Sequence, residues 1–176
     1  AGGAPASAGS PFRQALHSFT YWRVFLASTA AVFSFILMQV HLVPYATDGG
    51  ISPALAASVM AVLGGSNSVG RLGVGALSDR VGPRNTLFAS LGAMGLAMLA
   101  LPLIGSLWGF YAFAAVFGVA YGGAFISWTR LPAELFGLAA AGALMGLLST
   151  GTNLGGAAGS YTAGYIFDLT GSYSPA

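Results

Sequence analysis

The sequence contains no cysteine and no lysine, and its 176 residues include only six basic and four acidic side chains. Without cysteine, the chain forms no disulfide and offers no thiolate to a metal or a substrate. Its two histidines lie 24 positions apart and do not form a metal-binding motif, and no cofactor motif is present. Six scattered arginines also exclude a nucleic-acid-binding surface, which requires a clustered basic face.

Charge is scarce throughout, whereas hydrophobic residues make up 56% of the chain and its mean hydropathy is +0.78. Charged residues account for 6% of the chain, compared with about 25% in ordinary soluble domains. So few charges would not keep this much apolar surface in water. The composition therefore predicts an all-α membrane protein that resides in a lipid bilayer.

Long stretches of low charge have the length of membrane-spanning helices. A span needs about 20 mostly apolar residues, because the hydrocarbon core of a bilayer is about 30 Å thick. Turn-forming segments separate the stretches, and the strict alternation of barrel strands is absent. The five predicted spans are residues 22–46, 52–78, 85–103, 107–130 and 138–166.

Most arginines lie in alternate connections between these spans. Arg13 and Arg23 precede the first span, Arg80 and Arg84 follow the second, and Arg130 follows the fourth. Basic loops remain in the cytoplasm during membrane insertion. We therefore predict that the N-terminus and these two loops, at 79–85 and 130–137, are cytoplasmic in a multi-pass protein of the cell membrane.

The chain begins with AGGAPASAGS, which lacks the basic start and apolar core of a signal peptide. This composition is typical of a linker. We accordingly predict a cytoplasmic linker over residues 1–20 and a transmembrane bundle over residues 21–176.

The segment GRLGVGALSDRVGPR, at residues 70–84, is followed by LPAELFG and later by DLTGSY. This pattern resembles the C-terminal half of transporters of the major facilitator superfamily, and it is most similar to bacterial members of the monocarboxylate transporter and oxalate/formate antiporter group. The resemblance implies that the five spans match helices seven to eleven of a twelve-helix fold, without its N-terminal half and last helix. It also implies secondary transport of a small organic anion by alternating access.

Arg71 lies inside the second predicted span, where a charge is costly and usually faces a cavity or a partner. Asn67 lies one helical turn earlier, on the same face. A guanidinium group is planar and always charged, and its fork of donors fits a carboxylate. In the transporters that the chain resembles, an arginine at this place binds the substrate carboxylate. The alternative is an arginine that pairs with the cytoplasmic gate or with an acid of the N-terminal half.

Proton coupling is predicted, but the residue that would carry it is open, and the alternative is a uniporter or an antiporter. Animal-type monocarboxylate transporters have an aspartate one turn before this arginine, whereas the chain has Asn67, which does not titrate. His41 is one candidate, since the pKa of an unperturbed histidine is about 6.5. Some bacterial relatives pair such a histidine with the arginine. Alternatively, His41 is an interfacial residue that is hydrogen-bonded to the backbone near Pro44.

Tyr121 and Asn153 are two further candidate ligands of the substrate. Tyr121 shares a helix face with Phe117 and Trp128, so it either donates a hydrogen bond to substrate or belongs to an aromatic packing stripe. Asn153 is the strongly polar residue of the fifth span. Oxalate-type relatives carry a second cation on this helix, but residues 131–176 contain no basic side chain, which favours a monocarboxylate.

Asp79, Arg80 and Arg84 resemble the cytoplasmic signature loop of the superfamily. The resemblance implies that these three residues control conformational change, with the Asp79 carboxylate facing the N-terminus of a neighbouring helix, where negative charge is favoured.

Glycines recur at every fourth position in the last two predicted spans. This spacing lets membrane helices approach closely. It predicts either tight packing or sliding contacts around Gly118 and Gly122 and around Gly151, Gly155 and Gly159.

Two other functional classes are alternatives to transport. A non-transporting fragment or accessory subunit is one, because the resemblance implies that seven helices are absent. An intramembrane enzyme is disfavoured, since no predicted span combines serine and histidine in a nucleophile arrangement and none carries a pair of acids.

Overall fold

The structure, a computed structural model, describes residues 9–170 and is helical from one end of that range to the other. Residues 1–8 of the predicted linker and 171–176 of the predicted bundle lie outside the described residues. A short 3-10 turn, Leu101–Leu103, follows α4. The α-helices are α1 (Gly9–His17), α2 (Phe19–Asp48), α3 (Pro53–Val81), α4 (Pro83–Ala100), α5 (Leu107–Phe136) and α6 (Leu138–Thr170).

Five of these helices, α2 to α6, occupy the positions of the five predicted spans. Within the described residues, three segments are long and apolar enough to cross a membrane: Phe19–Asp48, Pro83–Leu103 and Leu107–Phe136. Glycine, serine and asparagine, together with Arg71 in α3, lower the hydropathy of α3 and α6. The count of five spans therefore remains a prediction.

The predicted loop at 79–85 is wrong, because the helices on either side of it are longer than expected. Asp79 and Arg80 belong to the last turn of α3, and Arg84 belongs to the first turn of α4. Gly82 alone separates the two helices, with a φ of +88° that L-residues rarely adopt. Pro83 then starts α4 at the first helical position, where its missing N–H costs nothing.

The predicted loop at 130–137 is also mostly helical. Helix α5 continues through Pro132 and ends at Phe136, and Gly137, with a φ of +81°, makes the break before α6. Pro132 is buried against other helices. Transmembrane helices tolerate an internal proline where neighbouring groups compensate for the lost hydrogen bond.

Part of the predicted linker forms helix α1. Phe12 and Leu16 on this helix pack against the core of the bundle. The indole N–H of Trp22 donates a 2.8 Å hydrogen bond to the carbonyl of Leu16, which joins α1 to the first turn of α2. The linker is therefore partly structured and contacts the bundle.

Helices α3 and α5 run parallel and touch at glycines. A Cβ added at Gly70 would collide with the backbone of Val119, and one at Gly122 would collide with the backbone of Asn67 and Arg71. Only glycine permits backbones to come this close. The predicted role of Gly122 in helix packing is confirmed, and this contact places Arg71 directly against α5.

Helices α2 and α6 form a second parallel pair. Gly155 meets the backbone of Thr29, and Gly159 meets the backbone of Phe33. The hydroxyl of Tyr21 adds a 3.0 Å hydrogen bond to the carbonyl of Leu144. Helix α4 packs against α5, where the hydroxyl of Ser90 approaches Gly123.

The bundle has one charged end, where α2 and α4 begin and α3 and α5 end. Four arginines lie in the helical turns at this end: Arg23, Arg80, Arg84 and Arg130. The described helices contain one further arginine away from this end and from α1, which is Arg71.

Candidate functional site

Arg71 is held by one hydrogen bond and one aromatic ring. Its Nε donates to the side-chain oxygen of Asn67, one turn earlier on α3, over 3.1 Å. The central carbon of the guanidinium lies 3.9 Å from the centroid of the Phe125 ring on α5. A cation over an aromatic face is attracted by the negative electron density of the ring, more strongly where water is excluded. The two contacts fix the plane and direction of the guanidinium.

The guanidinium has no acidic partner among the side chains that the structure describes. Both ion pairs found there belong to Arg130 instead. Asn67 occupies the Nε–H, so the four N–H groups on the two terminal nitrogens of Arg71 are available to a ligand. A half-buried cation with free donors is a suitable binding group for a carboxylate, which it can hold through two parallel hydrogen bonds.

An aromatic cluster adjoins Arg71. The Phe125 ring packs edge-on to Trp128 at 5.4 Å, and Trp128 packs edge-on to Tyr121 at 5.8 Å between ring centroids. Tyr121 is stacked on Phe35 of α2, with ring centroids 3.7 Å apart and planes 6° apart. This cluster excludes water from one side of the guanidinium and thereby strengthens its electrostatic interactions.

The structure brings Tyr121 close to Arg71 but buries its ring between Phe35 and Trp128. Its neighbour Gly122 touches the backbone of Arg71. These contacts place the Tyr121 ring in the packing stripe, and the donation of a hydrogen bond from its hydroxyl to substrate stays a prediction.

Phe125 was missed by the sequence analysis, which selected the face that contains Phe117, Tyr121 and Trp128. Phe117 is stacked on Phe113 instead, at 5.3 Å and 17°, away from the arginine. Phe125 follows Tyr121 by four residues, a spacing that places both on one side of α5. Combined with the glycine spacing that predicts a close helix contact, this signal would have identified it.

His41 is buried on α2 and faces α6. Its Nε2 lies 3.4 Å from the carbonyl oxygen of Ser160. This polar contact is with the α6 backbone, whereas Arg71 lies on α3. This contact joins α2 to α6 and involves neither Arg71 nor the backbone near Pro44, and both alternatives for His41 stay predictions.

Asn153, the polar residue expected on the fifth span, has an exposed side chain. Its neighbours Gly151, Gly155 and Gly156 are among the α6 residues that touch α2. Asn153 is thus available on the surface of α6, and it does not join the cluster around Arg71.

Among the described side chains, one of the gating residues at the charged end, Asp79, forms an ion pair. An oxygen of the Asp79 carboxylate accepts a 2.5 Å hydrogen bond from the Arg130 guanidinium, which ties the end of α3 to α5. Arg130 also lies 3.9 Å from Glu134, one turn later. Asp79 thus has an ion-pair partner on α5, and the expectation that its carboxylate faces a helix N-terminus stays a prediction. Arg80 and Arg84 are exposed.

Comparison with known proteins gives a consistent picture. The family model described as Major Facilitator Superfamily matches residues 2–172. "Monocarboxylate transporter 12" of Homo sapiens is 31% identical over 144 residues, which cover 78% of the chain and 27% of the human protein. "Monocarboxylate transporter 13" of Bos taurus is 30% identical over 169 residues, which cover 94% of the chain and 39% of the bovine protein. The chain thus spans well under half the length of these relatives.

Proposed function

This chain belongs to the Major Facilitator Superfamily, and on that basis we propose that it takes part in the secondary transport of a small monocarboxylate across a membrane. The family and the names of the relatives point to a transporter rather than an enzyme. In this proposal the chain supplies part of the C-terminal helix bundle, and an N-terminal half supplies the opposite wall of an alternating-access cavity.

The observation that carries the proposal is the state of Arg71. The residue has a fixed orientation, an aromatic wall on one side, and free donors without an acid among the described side chains. A charge within a membrane span carries a large desolvation cost unless a ligand or partner compensates for it. A bound carboxylate would neutralise the guanidinium and accept its remaining hydrogen bonds.

A monocarboxylate fits the charge of this site better than a dicarboxylate does. Residues 131–176 contain no lysine or arginine, so the last helix offers no second cation. A second carboxylate would be left desolvated without a counter-charge, which costs several kcal/mol. The relatives' names, which contain the word monocarboxylate, favour the same class.

The other site residues receive distinct roles in this proposal. Asn67 orients Arg71, and the Tyr121 hydroxyl donates to the bound anion. Asn153 contributes from the surface of α6. His41 carries the proton of a proton-coupled symport, at a distance from the arginine, through the contact between α2 and α6.

Conformational control is assigned to the charged end. The ion pair of Asp79 and Arg130 fastens α3 to α5 in one state, and Arg80 and Arg84 are free to pair with other groups in another. We propose that this end is cytoplasmic, that α2 to α6 all span the bilayer, and that the protein resides in the cell membrane. This orientation is supported by the concentration of basic side chains at the charged end, because basic segments remain on the cytoplasmic side of a membrane.

The proposal is tested by uptake of labelled lactate into proteoliposomes. They contain the protein encoded by the longest reading frame that includes this sequence. Arg71→Gln removes a charged hydrogen-bond donor, worth about 1.5–3 kcal/mol, so we expect KM to rise about tenfold to a hundredfold. Arg13→Gln is the matched control, since it removes the same charge from the exposed surface of α1. Arg71→Lys keeps the charge but loses the planar fork, and we expect an intermediate KM.

Equal uptake by wild type and Arg71→Gln would contradict the role of Arg71. An inward proton gradient should stimulate the wild type, and His41→Gln should abolish that stimulation while leaving exchange at equal pH intact. Failure of the wild type to move any member of a panel of monocarboxylates would favour a non-transporting membrane protein.

A further inference from the structure

A cavity lies at the charged end of the bundle, between the starts of α2 and α4. Its volume is about 530 Å³. The starts of α2 and α4 form its two walls, and Leu131 and Leu135 near the end of α5 form its floor. The transport proposal gives one of its lining residues, Arg84, a part in conformational control, but assigns no ligand to the cavity itself.

Two arginines line the cavity, one on each wall. Arg23 belongs to α2 and Arg84 belongs to α4. Neither has an ion-pair partner among the described side chains, since Asp79 and Glu134 are both engaged by Arg130. Two like charges that face one cavity repel each other unless an anion lies between them.

The helix termini add further positive potential at the same place. Both α2 and α4 begin at this cavity, neither has an acidic residue in its first turn, and neither has a side-chain cap. The unpaired N–H groups at the start of a helix carry roughly half a positive charge. Arg84 lies in the first turn of α4, where a cation is unfavourable unless an anion compensates for it.

The remainder of the cavity is apolar and opens to the outside of the bundle. Leu91 lines it beyond the arginines, and so do Leu26 and Phe88, which are 65% and 62% exposed. The polar part is confined to the charged end, and the apolar part extends along the helices away from it. A soluble anion would use the arginines but would leave this apolar surface in water.

We propose that the cavity binds an anionic phospholipid, with the lipid phosphate between Arg23 and Arg84 and the start of an acyl chain along Phe88 and Leu91. Basic pockets between membrane helices recognise lipid headgroups in this way, and an arginine fork matches the geometry of a phosphate. The lipid would couple the first turns of α2 and α4, which otherwise have little direct contact.

The proposal is tested by native mass spectrometry of the purified protein that the longest reading frame encodes. The protein is titrated with phosphatidylglycerol or with phosphatidylcholine. We expect phosphatidylglycerol to remain bound to the wild type and phosphatidylcholine not to. The variant R23Q/R84Q should bind phosphatidylglycerol more weakly, by about fivefold for each lost arginine. R13Q/R80Q removes two charges without touching the cavity and should bind like the wild type.

Binding is measured only on protein from the folded peak in size-exclusion chromatography, and R23K/R84K should retain most of it. A photoreactive acyl chain on phosphatidylglycerol should label peptides that contain Phe88 or Leu91. Equal binding of phosphatidylglycerol by R23Q/R84Q and wild type would overturn the proposal, and so would equal binding of phosphatidylcholine and phosphatidylglycerol by the wild type. Displacement of the lipid by an equal concentration of glycerol 3-phosphate would also overturn it. So would labelling that avoids the α4 peptide because another helix fills the cavity.

Discussion

The pairs α3–α5 and α2–α6 both bring parallel backbones together at glycines, yet only the first holds a guanidinium between its helices. In α3–α5, Gly122 contacts the backbone of Asn67 and Arg71, and Phe125 covers the arginine. In α2–α6, Gly155 and Gly159 contact the backbone of α2 in the same manner. The polar contacts there include those of Tyr21 with the carbonyl of Leu144 and of His41 with the carbonyl of Ser160.

The comparison shows how the same packing device can serve two purposes. In α2–α6, close approach brings apolar and small side chains into contact, which is how membrane helices associate without a hydrophobic driving force. In α3–α5, close approach also fixes the backbone from which Arg71 projects. The cost of placing a cation there is reduced by Asn67 and by the Phe125 ring.

The largest effect is expected where the α3–α5 contact itself is broken. Gly122→Ala places a Cβ against the backbone of Asn67 and Arg71, so the helices must separate. Overpacking of this kind costs about 1–3 kcal/mol, and we expect Tm in detergent to fall by about 3–10 °C. Gly146→Ala is the control, because a Cβ there meets nothing within 4 Å. An equal Tm for the two variants would show that the α3–α5 contact is looser than described.

The corresponding change in the other pair sharpens the comparison. Gly155→Ala places a Cβ against the backbone and side chain of Thr29. We expect Tm to fall by about the same amount as for Gly122→Ala, because the overpacking is similar. KM for uptake should stay at the wild-type value in Gly155→Ala and rise in Gly122→Ala. An equal rise in KM for both variants would contradict the assignment of substrate binding to α3–α5 and of structural packing alone to α2–α6.

A smaller effect is expected from removal of the aromatic wall while the backbone stays intact. Phe125→Leu keeps an apolar side chain of similar bulk but abolishes the cation–π contact with Arg71. We expect KM to rise about twofold to tenfold, with little change in Tm. Phe19→Leu is a matched control, since it removes the ring beneath Arg23, 4.2 Å from the guanidinium, outside the site. A KM unchanged in Phe125→Leu would assign the ring to packing alone.

The smallest effect on stability is expected at the ion pair. Asp79 and Arg130 are 61% and 40% exposed, and surface ion pairs contribute little to stability. Asp79→Asn should therefore leave Tm nearly unchanged but alter the maximum uptake rate, because it releases α3 from α5. The double variant Asp79→Arg with Arg130→Asp should restore the rate. A rate that the exchange does not restore would contradict a gating role for the pair.

Much of the helical organisation could be predicted from the sequence because a bilayer imposes a length on each apolar stretch. The ends of the helices could not be predicted in the same way. Residue types such as Asp79, Arg80 and Pro132 are common in turns, but here all three lie within helices. Each helix ends only at the glycine that follows, Gly82 or Gly137. Local composition identifies residues that can stop a helix, whereas packing decides which of them does.

The site shows a similar limit. The hydrogen bond between Asn67 and Arg71 follows from the period of one helix, and so the sequence was sufficient to predict that they share a face. The ring of Phe125 reaches the arginine only because α3 and α5 lie side by side in a particular register. The contact of His41 with Ser160 depends on the register of α2 and α6. A single sequence shows which residues share a face of one helix, but not how two neighbouring helices are aligned along their length.

The parallel pairing of the helices has a consequence for the order in which the protein can be assembled. The contact between Asp79 and Arg130 joins residues 51 positions apart, so α3 and α5 can associate as soon as α5 has left the ribosome. The bond between Tyr21 and Leu144 joins residues 123 positions apart. Helix α2 is therefore made first among the long helices but must wait for its partner until α6 has been synthesised. During that interval the face of α2 that bears Thr29 and Phe33 is exposed to lipid, and premature association there is the hazard that biogenesis has to avoid.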